Sequence, residues 1–210
     1  MPFVYTVLVG IVAVTDRVKV TTGVTCPTVR YHPGIVTQMA ETSTTLMEGR
    51  FALGIGSGEN LNEHILGDRL PPATVRIEMM REAIDLIRKL WMGEVIDHYG
   101  THYIVEEART FSLPETLPPI IASATGPIAA KVAADRRDQL ILPLGEPGHV
   151  LTVLDAFRAA GGTGKPLHDP DLDLLPRGRG EGGGDRLRVV GDLRDQGQLN
   201  RELPDWKHSE

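Results

Sequence analysis

The stretch RFALGIGSGENLNEHILG, at residues 50–67, decides how the rest of the chain is interpreted. It begins with an apolar run typical of a short buried strand, passes through three glycines in five residues, and ends in acid, amide and imidazole side chains. Glycine at the end of a strand indicates a turn or a close approach of the backbone to another group. The stretch therefore predicts a strand that delivers polar groups to one edge of a sheet.

Two common ligand motifs fit this stretch poorly. A dinucleotide loop needs G-x-G-x-x-G opening into a helix, but Glu59 stands where the last glycine should be. A helical metal site needs ligands on one face, whereas Glu63 and His64 are adjacent and point apart. We therefore predict no metal. Two interpretations stay open: glycines that admit a flat ligand, and a tight turn with solvated polar residues.

Composition limits the classes of function. The chain has 210 residues, of which 41% are apolar and 24% charged, so it is long enough to bury a core. Its net charge of −6 gives no indication of binding to nucleic acid or to a membrane. The single cysteine, Cys26, excludes a disulfide framework and fits the cytoplasm. The apolar N-terminal run lacks a basic region and ends at Asp16 and Arg17, which favours a buried helix over a signal peptide.

Strand and helix patterns alternate along the chain, which predicts a parallel α/β architecture. A hairpin at residues 94–106 is predicted to turn at Gly100, with His98 and His102 as solvated turn residues. The predicted strands are residues 18–25, 51–55, 120–124 and 139–144, and the predicted helices are residues 2–15, 33–47, 75–91, 127–134 and 149–160.

The sequence changes character near its end. Residues 1–165 read as one α/β domain, and residues 166–210 as an irregular tail. The run RGRGEGGG at residues 177–184 cannot bury a face, so the tail is predicted to be disordered or poorly packed.

Three stretches resemble a known family. TTGVTCPTVRYHP (residues 21–33), GRFALGIGSGENLNEHILGDRLPPATVRIEMMREAIDLIRKLW (residues 49–91) and PPIIASATGPIAAKVAA (residues 118–134) are similar to luciferase-like flavin oxidoreductases. The resemblance is to the branch that uses the deazaflavin coenzyme F-420, which includes F-420-dependent glucose-6-phosphate dehydrogenases. It implies a (β/α)8 TIM barrel with its site at the carboxyl ends of the strands. The four predicted strands are about half of such a barrel.

The resemblance also implies which residues contact the coenzyme ring. The family often has a non-prolyl cis peptide at the first pair of these positions. Cys26 matches a position that is often threonine, and it is explained as well by a small buried residue as by thiol chemistry. Glu59 matches an acid near the reacting carbon and is the predicted catalytic residue. The implied ring contacts are Gly23, Val24, Cys26, Ser57, Gly58, Glu59 and Asn62.

Ala124, Thr125 and Gly126 match the stretch that holds the coenzyme's phosphate. Physical reasoning agrees, because Pro127 suits the first position of a helix whose free N–H groups and dipole favour an anion. An ordinary strand-to-helix turn explains the same pattern.

The chain also departs from the family pattern. The resemblance places further strands and an Asp-His pair before Pro2, and neither His32 nor His64 matches that histidine. Pro143 and Glu146 stand where sugar-phosphate dehydrogenases have a threonine and a lysine, which disfavours glucose 6-phosphate.

Two functions are therefore open. One is an oxidoreductase that moves a hydride between F-420, or alternatively FMN, and a small organic substrate, with full-length relatives homodimeric. The other is a truncated, inactive remnant of such an enzyme.

The last residues regain the resemblance. GQLNRELPDWKHSE (residues 197–210) is similar to the family again, but residues 167–196 are not. Resemblance lost and regained suggests two compensating frameshifts. Residues 167–196 are then expected to be translated out of frame, without an evolved fold.

Overall fold

The computed structural model describes residues 3–135, 139–142, 147–165, 167–168 and 187–190. The predicted alternation of strand and helix is confirmed, with shifts at element ends. The helices are α1 (Val4–Val14), α2 (Pro33–Leu46), α3 (Asn60–Glu63), α4 (Ala73–Leu90), α5 (Pro127–Asp135) and α6 (Pro147–Phe157). The strands are β1 (Lys19–Thr22), β2 (Phe51–Ile55), β3 (Ile96–Tyr99), β4 (Ile104–Ala108), β5 (Ile120–Ser123), β6 (Gln139–Ile141), β7 (Leu167–His168) and β8 (Leu187–Val190).

One parallel sheet carries the fold. Its six strands run in the order β7-β6-β5-β2-β1-β8. Val20 of β1 lies opposite Phe51 of β2, and Gly54 of β2 lies opposite Ile121 of β5. Among the described residues, the two edge strands do not pair with each other, so the sheet is open. This is the α/β architecture expected for part of a barrel.

Two short strands occupy a segment for which the sequence predicts none. β7 pairs with β6, and β8 pairs with β1. The prediction of four sheet strands is therefore wrong in number, because the unpaired N–H and C=O groups at each edge of an open sheet can pair with a segment as short as two residues. Pro143 and Glu146, and the remaining residues of the tail at 166–210, lie outside the described ranges. The boundary at residue 165 and the frameshift stay predictions.

Two cores hold helices against the sheet. Leu8 of α1, Val36 of α2 and Ile84 of α4 are buried with Phe51 and Leu53 of β2 in one cluster. The apolar stripe of α4 at helical spacing explains why this helix was the clearest in the sequence. The second cluster packs α5, whose inward face is mostly alanine, against α6.

The hairpin of β3 and β4 lies between α4 and β5 in the chain and packs on α4. Glu82 of α4 fixes its turn by accepting hydrogen bonds from the backbone N–H groups of Thr101, His102 and Tyr103. A Cβ at Gly100 would lie 1.8 Å from Oε1 of Glu82, so a side chain there would displace the carboxyl that holds the turn.

The two hairpin histidines are not solvated turn residues, so that prediction is wrong. The side chain of His98 is only 12% exposed, and its Nε2 atom lies 3.2 Å from Oε1 of Glu82. The side chain of His102 is 16% exposed and lies beside Glu78. Burial alone would raise the pKa of Glu82, but the hydrogen bonds from Tyr103, His98 and His102 lower it.

Candidate functional site

Three loops that the sequence singles out lie at one edge of the sheet. Residues 23–28 follow β1, residues 56–59 follow β2, and residues 124–126 follow β5. Since β1, β2 and β5 are parallel neighbours, their carboxyl ends meet at this edge. The topology thus brings all the candidate residues to one side of the molecule.

The first two loops are joined by backbone hydrogen bonds. The N–H of Thr25 donates to the carbonyl of Gly54 at 2.8 Å, and the N–H of Gly56 donates to the carbonyl of Thr25 at 2.9 Å. These bonds continue the pairing of β1 and β2 beyond the strand ends. The Gly23–Val24 peptide bond between strand and loop is cis, as the resemblance implies.

Two of the three glycines are required by the protein itself. A Cβ at Gly54 would lie 1.8 Å from the carbonyl oxygen of Thr22, and one at Gly56 would lie 2.5 Å from Cγ2 of Val24. Gly58 has φ +83°, where a side chain is strained. Gly54 and Gly56 therefore allow the segments after β1 and β2 to pack closely together. From the sequence, these glycines were attributed to a ligand or to a tight turn.

Glu59 lies at the rim of this edge, immediately before α3. Its side chain is half-buried, and Oε1 accepts a hydrogen bond from the amide of Asn62 at 3.0 Å. Burial raises the pKa of Glu59, and the bond from Asn62 offsets part of that effect. A carboxyl in this setting holds a proton at higher pH than an exposed one.

Cys26 lies beneath the same rim. Burial raises the pKa of its thiol to about 12, with smaller contributions from the carboxylates of Glu63 and Glu59. The thiol is therefore neutral at physiological pH and unsuited to act as a nucleophile. This favours the interpretation of Cys26 as a small packing residue, which is partly exposed in the structure, over thiol chemistry.

Residues 124–126 form the third loop. The N–H of Ala124 donates to the carbonyl of Ile141 at 3.2 Å, which ties the loop to β6. Gly126 precedes α5, and no described atom lies within 4 Å of the position that its Cβ would take. The ring of His149, in the first turn of α6, lies 2.8 Å from the carbonyl of Thr125. There is consequently free space beside Gly126 at the start of α5, as far as the described residues show.

Sequence reasoning missed the residues that support the first loop from outside. The hydroxyls of Tyr5 and Thr25 are 3.0 Å apart, the hydroxyl of Tyr103 donates to the carbonyl of Pro27 at 2.6 Å, and Glu63 accepts from the backbone N–H of Arg30. Two of these partners are backbone atoms, which leave no trace in a pattern of side chains. No sequence signal could have found them.

Two further observations concern the described part of the chain. None of its helices has the length and apolarity needed to cross a membrane. Within the same ranges, no three His, Cys, Asp or Glu side chains are placed to share a metal ion.

Comparisons with known proteins agree on one family. The sequence model of luciferase-like monooxygenases matches residues 2–173. An F-420-dependent glucose-6-phosphate dehydrogenase of Microbacterium testaceum is 39% identical over 138 residues, which are 66% of this chain and 41% of that protein. A protein of the same name from Beutenbergia cavernae is 36% identical over 188 residues, 89% of this chain and 56% of that protein.

A solved structure adds similarity in three dimensions. An F-420-dependent secondary alcohol dehydrogenase, in complex with an F-420–acetone adduct, superposes with a TM-score of 0.74 at 26% identity, over 80% of this chain and 53% of that one. The chain spans about half the length of the curated relatives it matches. The chain belongs to the luciferase-like monooxygenase family.

Proposed function

We propose that this chain carries the coenzyme-binding edge of an oxidoreductase that moves a hydride between F-420 and a small organic substrate. The observation that carries the proposal is the meeting of three loops, with Glu59 and Asn62 at their rim, at the carboxyl ends of β1, β2 and β5. The names of the Microbacterium and Beutenbergia relatives support the same coenzyme.

The residues present fit such a coenzyme. The buried hydroxyl of Thr28 has no hydrogen-bond partner among the described residues, and it lies 3.0 Å from the position of a Cβ on Gly58. A buried polar group without a partner is unusual and points to a ligand or water. The space beside Gly126 lies at the start of α5, where the unpaired N–H groups of a helix N-terminus favour a phosphate.

Each loop then has a distinct task. Gly23, Val24 and Gly58 form the surface on which the ring rests, and Ala124 to Gly126 hold the phosphate. Ser57, Cys26 and Asn62 complete the ring surface. F-420, when bound, supplies the carbon that gives or accepts the hydride.

Glu59 is the proton donor of the proposal. Its raised pKa keeps a share of the carboxyl protonated at higher pH than an exposed glutamate. Because Oε1 accepts from Asn62, the proton resides on Oε2. Rotation of the carboxyl is restrained by the same bond, so the acid is oriented before a substrate arrives.

The proposed substrate, partners and location come from the sequence and its relatives. The curated relatives are named for glucose 6-phosphate, but Glu146 in place of a lysine favours a small substrate without a phosphate. Homodimerisation is proposed from the resemblance. A cytoplasmic location is proposed from the single cysteine.

Titration of the purified chain with F-420, followed by coenzyme fluorescence, tests the proposal. We expect saturable binding that is tighter than the binding of FMN. Gly126→Leu should weaken it by filling the open space beside the phosphate loop. Gly10→Leu, on the exposed side of α1, is the matched control and should not.

Three results would redirect the proposal. Tighter binding of FMN would assign the chain to a flavin-using branch. Binding that is insensitive to Gly126→Leu would place the coenzyme elsewhere. The absence of saturable binding by either coenzyme would favour the inactive remnant.

A further inference from the structure

Glu63 is a buried carboxyl beside the candidate site, and no role is assigned to it by the proposed function. The residue is 2% exposed. Its Oε2 atom accepts a hydrogen bond from the backbone N–H of Arg30 at 2.8 Å. Arg30 lies in the loop between β1 and α2, whereas Glu63 is the last residue of α3. The bond therefore joins the loop after β1 to the segment after β2.

The side chain of Glu63 also packs against the turn that presents Glu59. A Cβ on Gly58 would lie 3.3 Å from Cγ of Glu63 and 3.0 Å from Oγ1 of Thr28. Thr28 belongs to the loop after β1, so Glu63 fills the space between that loop and the turn at Gly58. Its contacts involve both loops at once.

Burial of the Glu63 carboxyl has a desolvation cost. Burial disfavours its charged form and raises the pKa of Glu63, while the N–H and the guanidinium of Arg30, and the charge of Arg76, oppose that effect. An apolar side chain of similar size could fill the space without a desolvation cost. An apolar side chain could not accept a hydrogen bond from the N–H of Arg30. The carboxyl therefore contributes the hydrogen bond between the two segments.

The loop after β1 is held at two other points. Tyr5, in α1, has its hydroxyl 3.0 Å from that of Thr25, and Tyr103, in the hairpin, donates its hydroxyl hydrogen to the carbonyl of Pro27. Both of these links attach the loop to supporting elements. Glu63 attaches it to the segment that carries Glu59 and Asn62.

We propose that Glu63 is a positioning residue that locks residues 25–31 to the Gly58–Glu59 turn, and so holds both halves of the ring surface in one arrangement. The lock itself follows from the contacts of Glu63. Its consequence for coenzyme affinity rests on the proposed function.

Cys26 reports on the lock without any coenzyme. It is the single cysteine of the chain and lies in the loop that Glu63 holds. Because Cys26 is partly exposed, the increase in its rate of modification by a neutral disulfide reagent, relative to the wild type, measures the additional opening of the loop. The ionisable groups that influence this thiol are Tyr5 of α1, Arg30 and Tyr31 of its own loop, Glu59 and Glu63.

Two substitutions separate contact from charge. Glu63→Asp keeps the charge but withdraws the oxygen from Arg30, and we expect Cys26 to be modified about 5- to 100-fold faster at every pH, as for loss of a buried charged hydrogen bond. Glu63→Gln keeps an oxygen for Arg30 but removes the charge. Because the contact with Arg30 is retained, it should raise the modification rate by less than Glu63→Asp does.

Glu94→Ala, at an exposed residue between α4 and β3, is the control and should match the wild type. Circular dichroism of each variant checks that the fold is retained. A wild-type modification rate in Glu63→Asp, with the fold intact, would overturn the proposal. If Glu63→Asp fails to fold, a modification rate in Glu63→Gln above that of the wild type supports the lock, and a wild-type rate in Glu63→Gln overturns it.

Titration of the same variants with F-420 completes the experiment. Weaker binding by Glu63→Asp is expected because the ring surface is arranged for a smaller fraction of the time, and the factor should be smaller than in thiol modification, which follows the open population itself. Unchanged binding with faster modification would overturn the link to the coenzyme while leaving the lock in place. A wild-type chain that does not bind F-420 would instead overturn the proposed function.

Discussion

Removal of one hydroxyl tests whether the hairpin supports the site. Tyr103 is 5% exposed, and its hydroxyl donates to the carbonyl of Pro27, 76 residues earlier, at 2.6 Å. Tyr103→Phe keeps the ring and its packing but leaves this carbonyl without that donor. The variant therefore isolates the hydrogen bond between the hairpin and the loop after β1.

The magnitude follows from the burial of both partners. A buried acceptor that loses its donor costs about 1–3 kcal/mol in free energy of unfolding. For a chain of this size, that loss corresponds to a decrease in Tm of about 2–10 °C. Burial raises the pKa of Tyr103 further above its ordinary value, so the hydroxyl stays protonated and the loss should not vary between neutral and mildly alkaline pH.

Thermal unfolding followed by circular dichroism measures the effect. Tyr99→Phe is the matched control, because Tyr99 lies on the same hairpin, is 68% exposed and donates to Glu106 at the surface. The control should change the free energy of unfolding by less than about 0.5 kcal/mol. Equal effects of the two variants would refute the argument that the hairpin is fixed to the site through Tyr103.

Three other predictions concern the sheet, the hairpin turn and the acid. Gly54→Ala should lower the free energy of unfolding, measured with urea, by more than about 3 kcal/mol, because the new Cβ would overlap the carbonyl of Thr22. The control Gly10→Ala, in α1, should raise it by up to about 1 kcal/mol. The pKa of Glu82 is lowered in the folded protein, so the carboxylate stabilises the fold above the unfolded-state pKa of about 4.3, and this stabilisation is lost as pH falls through the folded-state pKa. The loss in free energy of unfolding caused by Glu82→Gln should accordingly become smaller below about pH 4. Glu59→Gln, made at the matching acid of a full-length relative, should lower turnover about 10²- to 10⁴-fold with coenzyme affinity retained, and unchanged turnover would contradict its role as an acid.

Local patterns predicted the elements because their causes are local. Phe51–Ile55 is apolar and followed by glycines, and α2 and α5 both begin at a proline, as the sequence indicated. The meeting of three loops was also predictable, since parallel neighbours end at one edge. These inferences need only spacing, propensity and the direction of the strands.

The errors have a different origin. His98 and His102 look solvated beside a glycine turn, but Glu82, on another element, draws the turn onto α4. β7 and β8 form by pairing with strands far away in the chain, which no local period encodes. Glu63 has a backbone partner 33 residues away, so its function is visible only in three dimensions.

Backbone hydrogen bonds from Thr25 to Gly54 and from Gly56 to Thr25 extend the pairing of β1 and β2 into the candidate site. This part of the site is therefore formed before any ligand binds. Amide hydrogens of Thr25 and Gly56 should then exchange as slowly as those of the central strands, because they open only when β1 and β2 separate. A ligand that settles there orders little additional backbone, and the entropic penalty of association is small. Selectivity at this edge consequently depends on fit to a rigid surface, with few opportunities for the surface to adapt to a poorly matched molecule.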